Sequence, residues 1–365
     1  MQYRTLGRSG LDTSVLSIGA MRLPKDDEEA VALIRRAIDA GCNYIDTSLG
    51  YGDSELKLAK ALRGGYRERV ILSTKCSPWI HQEEGYTASA DDTRRKIDQQ
   101  MRRLEVDYLD FYQVWNVTGE DTYQQAIAPD GVVAGIRRAM DEGLVRHIGA
   151  TTHAPLDVMH QMIDSGIFEA ITVSYYLINR EVEEVMEHAH RANVGIVVMN
   201  PIGGGLLGAD SPVIRGLVPE SGLPAAALAL RFVLDHPHVT TAISGFAKMS
   251  DVEQNVAIAN GEPLSSAQRE KLAAGVAKLE EKGRKICTQC GYCMPCKQGV
   301  LIKDILGLAN RGEWFGLLDA VRAKYANFKP EWRADACTQC GACEEKCPND
   351  VPIREQLARA HEQLS

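Results

Sequence analysis

Short apolar runs recur along the first two thirds of the chain, separated by longer stretches whose apolar positions fall three and four residues apart. The runs are "VLSIGAM", "NYIDT", "VILSTK", "YLDFYQVW", "RHIGAT", "AITVSY", "GIVVMN" and "TTAISG". Runs of this kind suit strands covered on both faces, and the wider spacing suits helices with one buried side. The helical stretches are "DDEEAVALIRRAIDAG", "SELKLAKALRG", "ADDTRRKIDQQMRRL", "PDGVVAGIRRAMDEG", "PLDVMHQMIDSG", "REVEEVMEHAHRAN" and "LPAAALALRFVLDH". Several end in Gly or Asn, which stop helices. Strand–helix alternation predicts a parallel sheet with helical crossovers. Eight such units in about 250 residues predict an α/β fold, a (β/α)8 barrel of the TIM type. An open doubly wound sheet is the alternative. However, "GGGLLG" lies near the seventh run, whereas a dinucleotide fingerprint opens the first strand–helix unit. The opening "YRTLGRSGLDTSVL" reads as a hairpin ahead of the barrel.

From about Glu262 the pattern changes. "SSAQREKLAAGVAKLEEKG" reads as a charged helix leading away from the last strand. Two cysteine runs follow, "CTQCGYCMPC" and "CTQCGACEEKCP", and the separator "ILGLANRGEWFGLLDAVRAKYANF" reads as two helices. The expected division is a barrel over 1–275 and a mainly helical, ferredoxin-like iron–sulfur domain over 276–365.

Composition narrows the class. Apolar residues are 45% of the 365, enough for a sizeable core. Net charge is −8, and the double-arginine pairs fall on helical faces with no basic stripe, so nucleic acid is not an expected partner. The longest apolar run, "LPAAALALRFVL", is too short to span a bilayer and contains Arg231. "MQYRTLGRSG" has no apolar stretch behind its charges. A cytoplasmic protein without membrane contact is expected. Thiols are kept reduced there, so ten cysteines point to metal or redox chemistry rather than disulfides.

Cys337, Cys340 and Cys343 stand at C-x2-C-x2-C, a spacing that fits three corners of a cubane cluster. Cys347, before Pro348, completes the bacterial ferredoxin run. Cys287, Cys290 and Cys293 repeat the triplet, but Cys296 follows after two residues and its proline precedes it. In two-cluster ferredoxins the fourth cysteine of each run ligates the other cluster. By that logic Cys347 joins Cys287, Cys290 and Cys293, while Cys296 joins Cys337, Cys340 and Cys343. Two structural zinc sites are the alternative, although four-cysteine zinc sites usually draw on separated pairs. The spacing favours two [4Fe–4S] clusters.

Chemistry in such barrels sits at the C-terminal ends of strands. Asp46 ends the second strand, Tyr51 lies in the loop after it, and Lys75 ends the third. A lysine beside a tyrosine favours phenolate and lowers its pKa, and an aspartate can hold the lysine charged. A tyrosine so tuned can protonate a developing alkoxide. Singly, each has a plainer reading: a turn cap, a loop-packing ring, a strand-end charge. Cys42, Cys76 and the methionines read as core.

At these residues the sequence resembles the aldo-keto reductase family. "YRTLGRSGLDTSVLSIGAM", "AIDAGCNYIDTSLGYGDSE", "LSTK", "DYLDFYQV", "GLVRHIGATTH", "NPIGGGLLG" and "SGFAKMSDVEQN" match its motifs in order, over about residues 1–260. With the cysteine runs the chain resembles the ferredoxin-type branch. The resemblance implies NADPH-dependent reduction of a carbonyl and a tetrad of Asp, Tyr, Lys and His. The first three carry over to Asp46, Tyr51 and Lys75. At the fourth place stands Trp115, whose indole donates one hydrogen bond but relays no proton; barrel packing is its plainer reading. Asn116 is a neighbouring polar group, though adjacent strand residues face opposite sides. His81 and His153 are replacements to consider, or ordinary loop and core residues. The places that hold the nicotinamide amide read Thr151, Thr152 and Thr172, and Met199 stands where a stacking ring is common. The phosphate side is better kept: Gly203, Gly204, Gly205, Leu206, Gly245, Lys248, Gln254 and Asn255. NADP(H) is therefore a candidate cofactor, and a flavin in a barrel phosphate site stays open.

The leading reading is an oxidoreductase in which two clusters serve a barrel site. Tyr51 gives the proton to a small carbonyl or related substrate, and an external electron-transfer protein is a candidate partner. One alternative is a non-catalytic electron-transfer or redox-sensing protein. The other is an NADPH-only reductase with structural clusters.

Overall fold

The computed structural model describes residues 1–79, 87–177, 179–208, 211–280, 287–315 and 318–365. The chain forms two compact units. The first is Met1–Tyr175 with Arg180–Pro201 and Val233–Pro263; the second is Tyr176–Asn179, Ile202–Phe232 and Leu264–Ser365.

In the first unit a short hairpin, β1 (Tyr3–Thr5) and β2 (Asp12–Ser14), precedes the barrel. The barrel strands are β3 (Leu16–Gly19), β4 (Tyr44–Asp46), β5 (Ile71–Cys76), β6 (Leu109–Val117), β7 (Val145–Thr152), β8 (Ala170–Ser174), β9 (Gly195–Met199) and β10 (Thr241–Gly245). They close in chain order, with β10 hydrogen-bonded to β3, and every pairing is parallel. All eight apolar runs are therefore strands, and the closed barrel replaces the open-sheet alternative. β5 and β6 are buried along their whole length, as expected for parallel strands covered on both faces.

The helices along the chain are α1 (Asp27–Asp39), α2 (Ser54–Leu62), α3 (Ala90–Leu104), α4 (Glu120–Ile127), α5 (Val132–Asp141), α6 (Leu156–Asp164), α7 (Glu183–Arg191), α8 (Pro212–Leu217), α9 (Ala225–Leu234) and α10 (Met249–Asn260). Their ends follow local chemistry. Asp26 caps α1 by accepting from the Glu29 N–H, and Ser89 caps α3 by accepting from the Asp92 N–H. The α4, α8 and α10 segments lie outside the helical stretches read from periodicity. α4 starts at Gly119, whose N–H the Thr122 hydroxyl accepts at 3.1 Å, a cap that carries no apolar period.

The hairpin closes the N-terminal mouth of the barrel. Leu6 joins Tyr44, Ile71, Phe111, Ala170 and Val197 in a fully apolar floor. Gly7 is at φ 52°, and a Cβ there would meet the Gly195 nitrogen at 2.3 Å, so no larger residue fits this approach. Arg4 donates to the carbonyls of Leu234, His236 and Val239, fastening the hairpin to the turn before β10.

The second unit is helical, with no strand among its described residues beyond a single bridge between Tyr176 and Asn179. It holds α11 (Ser266–Glu280), α12 (Ile302–Phe315), α13 (Leu318–Ala326) and α14 (Ile353–Leu364). Val300, Ile305, Leu306, Val321, Tyr325, Leu357 and Leu364 form its core, and cysteines of both runs pack against them. The separator is two helices, as its pattern predicts, and α14 adds a third. Among the described residues no helix is long and apolar enough to cross a membrane.

Candidate functional site

Above the apolar floor the barrel interior turns polar. Lys75, at the end of β5, donates to Asp46 Oδ1 at 2.5 Å and to the Thr47 carbonyl at 2.9 Å. Both side chains of this ion pair are almost fully buried. The second Asp46 oxygen accepts from Gln113 Nε2 at 2.9 Å. Gln113 also donates to Ser73 Oγ at 2.7 Å and accepts from Thr172 Oγ1 at 2.7 Å. Thr172, Gln113, Asp46 and Lys75 thus form one hydrogen-bonded chain across the barrel. Gln113 did not stand out from sequence. The signal was its polarity inside a strand that is buried along its whole length, since buried polar groups demand partners.

Tyr51 lies in the loop after β4, with the Lys75 ammonium 4.9 Å from its ring centroid. The Trp115 and Tyr51 rings stand nearly perpendicular, at 83°, with centroids 5.6 Å apart. Asp46, Tyr51, Lys75 and Trp115 therefore converge. The electrostatics differ from expectation. Tyr51 is pushed well above its usual pKa, first by burial and then by the Asp46 carboxylate. Burial also lowers the Lys75 pKa, opposed by Asp46. The lysine charge is turned toward Asp46, so the phenol is held protonated rather than eased toward phenolate.

β6 changes register between Val114 and Val117, and Asn116 adopts φ 64°. This bulge breaks the alternation expected of neighbouring strand residues. The Asn116 N–H donates to Thr151 Oγ1 at 2.8 Å, while its buried Oδ1 has no hydrogen-bond partner. Ser174, two residues beyond Thr172 on β8, likewise has a buried hydroxyl without a partner. Both lie at C-terminal strand ends, where a bound molecule could complete them. Thr152 donates to the Val117 carbonyl at 3.1 Å and accepts from the Ala154 N–H at 3.0 Å. His153 follows β7, and burial lowers its pKa to about 4, so it is neutral at pH 7. His81 lies outside the described residues. Cys42 and Cys76 are buried in the core.

The remaining cofactor-side residues fall into two groups. Met199 ends β9, and Gly203, Gly204 and Gly205 follow in left-handed backbone at φ 60°, 64° and 98°, with Leu206 after them. Gly245, Lys248 and Gln254 are exposed around the start of α10, and Asn255 Nδ2 donates to Ser244 Oγ at 2.9 Å.

The two cysteine runs fold alike. Gln289 and Gln339 both sit at φ 60°, and each N–H reaches back to a cysteine sulfur at 3.4 Å, Cys287 and Cys337 respectively. Gly291 and Gly341 follow at φ 89° and 81°. Cys287, Cys290, Cys293 and Cys347 line one cavity with Leu306, Val351 and Ile353. Among the described residues no three His, Cys, Asp or Glu side chains meet as a single-ion site; these four thiols ring a cavity instead. Thiolates around a glycine-turned, apolar-walled space fit an iron–sulfur cluster. Burial raises Cys287 and Cys293 to about 12, so a metal must displace their protons. Cys343 lies within electrostatic reach of Cys337, Cys340 is exposed, and Cys296 packs on the helical core.

The profile of the Aldo/keto reductase family matches residues 15–275. The chain belongs to the aldo/keto reductase family. A 4Fe-4S dicluster domain matches residues 286–351. L-galactose dehydrogenase of Arabidopsis thaliana is 28% identical over 70% of this chain and 88% of its own. The uncharacterized oxidoreductase YqkF of Bacillus subtilis (strain 168) is 25% identical over 73% and 93%. Among solved structures, aldo-keto reductase AKR11C1 from Bacillus halodurans in its holo form superposes with TM-score 0.67. It shares 26% identity and covers 75% of this chain and 96% of its own. This aldo/keto reductase is thus an oxidoreductase with a C-terminal 4Fe-4S dicluster domain.

Proposed function

We propose that this aldo/keto reductase reduces a small carbonyl or related substrate with electrons that arrive singly, and that Tyr51 donates a proton. Asp46 fixes Lys75, and Lys75 lies over the Tyr51 ring. Trp115 packs perpendicular to the Tyr51 ring and shapes the space beside it. The Asn116 and Ser174 oxygens offer polar contacts to the substrate. Cys287, Cys290, Cys293 and Cys347, around one cavity, would hold one [4Fe–4S] cluster, and by the spacing of the two runs Cys296, Cys337, Cys340 and Cys343 would hold a second. When bound, the clusters supply one electron at a time. Reducing a carbonyl to an alcohol takes two electrons, from an external low-potential donor, and two protons, one of them from Tyr51. The proposed division follows the matched segments, a barrel domain over 1–275 and a cluster domain over 276–365.

The observation that carries this reading is at the nicotinamide-side threonines. Thr151 accepts from the Asn116 N–H, Thr152 bonds to the Val117 carbonyl and the Ala154 N–H, and Thr172 donates to Gln113. Their hydroxyls are drawn into the protein's own network, which weakens hydride-only chemistry. A second reading, NADPH as sole reductant, is favoured by exposed Gly245 and Lys248 before α10.

The test is spectroscopic. Flavin-free anaerobic protein is mixed with excess NADPH and, separately, with a low-potential reductant. Visible absorbance should bleach with the second and hardly with the first, and substrate should restore it. NADPH-driven turnover with clusters that substrate never reoxidises would sink the proposal.

A further inference from the structure

Gly204 stands at φ 64°, and a Cβ there would lie 2.2 Å from the Thr288 carbonyl oxygen. That neighbour is backbone, so it cannot step aside by changing rotamer. Thr288 follows Cys287 and is 2% exposed. Its hydroxyl accepts from Asn349 Nδ2 at 3.1 Å. Asn349 lies two residues after Cys347, the thiol that joins the first triplet around the cavity, and both Thr288 and Asn349 line that cavity. The Val351 N–H further reaches the Cys347 sulfur at 3.5 Å. A glycine seat beneath Thr288 and a side-chain latch above it therefore fix both stretches that supply these four thiols.

We propose that Gly204, Thr288 and Asn349 are positioning residues for the first iron–sulfur site: Gly204 seats the Cys287–Cys290 backbone, and the Thr288–Asn349 bond holds Cys347 in register with it. This rests on the reading of those thiols as cluster ligands. It gives part of the glycine segment a role other than cradling a phosphate. It also makes Thr288 an outer partner of the site, because bonds behind the ligands hold them in place.

The experiment compares Gly204→Ala, Gly222→Ala and Thr288→Val in the full chain, purified anaerobically. Gly222 has φ 66° with open space where a Cβ would go, so it carries the same backbone strain without a displaced neighbour. The readouts are iron and labile sulfide per chain, the electron paramagnetic resonance spectrum of reduced protein, and the rate of iron release to a chelator. Gly204→Ala should lose about half of the iron and one of two signals, while Gly222→Ala keeps both. Thr288→Val should keep its iron but release part of it to a chelator several-fold faster. Equal iron and equal spectra in the two glycine variants would overturn the seat. If Gly204→Ala fails to fold, Thr288→Val decides: a wild-type release rate would overturn the proposal. Wild-type protein lacking iron and labile sulfide would instead overturn the cluster reading itself.

Discussion

Tyr51 holds its proton because burial and the Asp46 carboxylate both disfavour phenolate, while Lys75 answers Asp46 directly. A proton donor in that state keeps working as pH rises past the ordinary tyrosine range, so the alkaline limb of the rate profile should lie above pH ~10. Tyr51→Phe keeps the ring against Trp115 and removes the acid. Turnover should fall by about 10²–10⁴-fold, with thermal stability little changed. Full activity in Tyr51→Phe, measured on any substrate found, would show that another group supplies the proton. Lys75→Met is different in kind. It leaves Asp46 buried opposite an apolar chain, with Gln113 as its remaining side-chain partner. Breaking a buried ion pair on one side costs about 3–5 kcal/mol. Denaturant unfolding should show that loss; a midpoint equal to wild type would mean the pair is far better solvated than its burial implies.

At the scale of elements, the strands were legible and one strand's interruption was not. An eight-run alternation identifies the barrel because each parallel strand must be apolar on both faces. The β6 bulge leaves no such trace: "QVWNV" reads as ordinary strand, and only the register against β7 shows that Asn116 leaves the alternation. The first hairpin shows the opposite case. Its turn is plain in sequence, but its job as the barrel floor comes from contacts with residues far along the chain. Gly7→Ala tests that job. The added methyl group would collide with the Gly195 backbone and force a left-handed alanine. Overpacking and strain of this kind each cost about 1–3 kcal/mol, so Tm should drop by several degrees. An unchanged Tm would mean the hairpin is not tightly seated.

At the scale of the whole molecule, the cysteines are part of the second unit's core as well as its chemistry. Cys287, Cys293, Cys296, Cys337, Cys343 and Cys347 all pack against Leu306, Val321 and Leu357 and their neighbours. Without metal nothing ties the thiols of the two runs to one another, and metal ligation contributes to folding. Oxidative stripping or chelation should therefore reduce the far-ultraviolet helix signal by the share of α12, α13 and α14, with the barrel's signal retained. Loss of iron with an unchanged spectrum would show that the helices fold without it.

The sequence by itself determined the barrel, the helical cysteine module and the convergence of Asp46, Tyr51 and Lys75. Each depends on periodicity, on spacing within one loop, or on the rule that parallel strands bring their C-terminal ends together. Tertiary structure decided what depends on distance between remote residues. It linked Thr172 to Asp46 through Gln113. It also set the sign of the Tyr51 shift. Sequence places a lysine beside a tyrosine, but only burial and the direction of the Lys75 ammonium decide whether desolvation or charge attraction prevails, and here desolvation does.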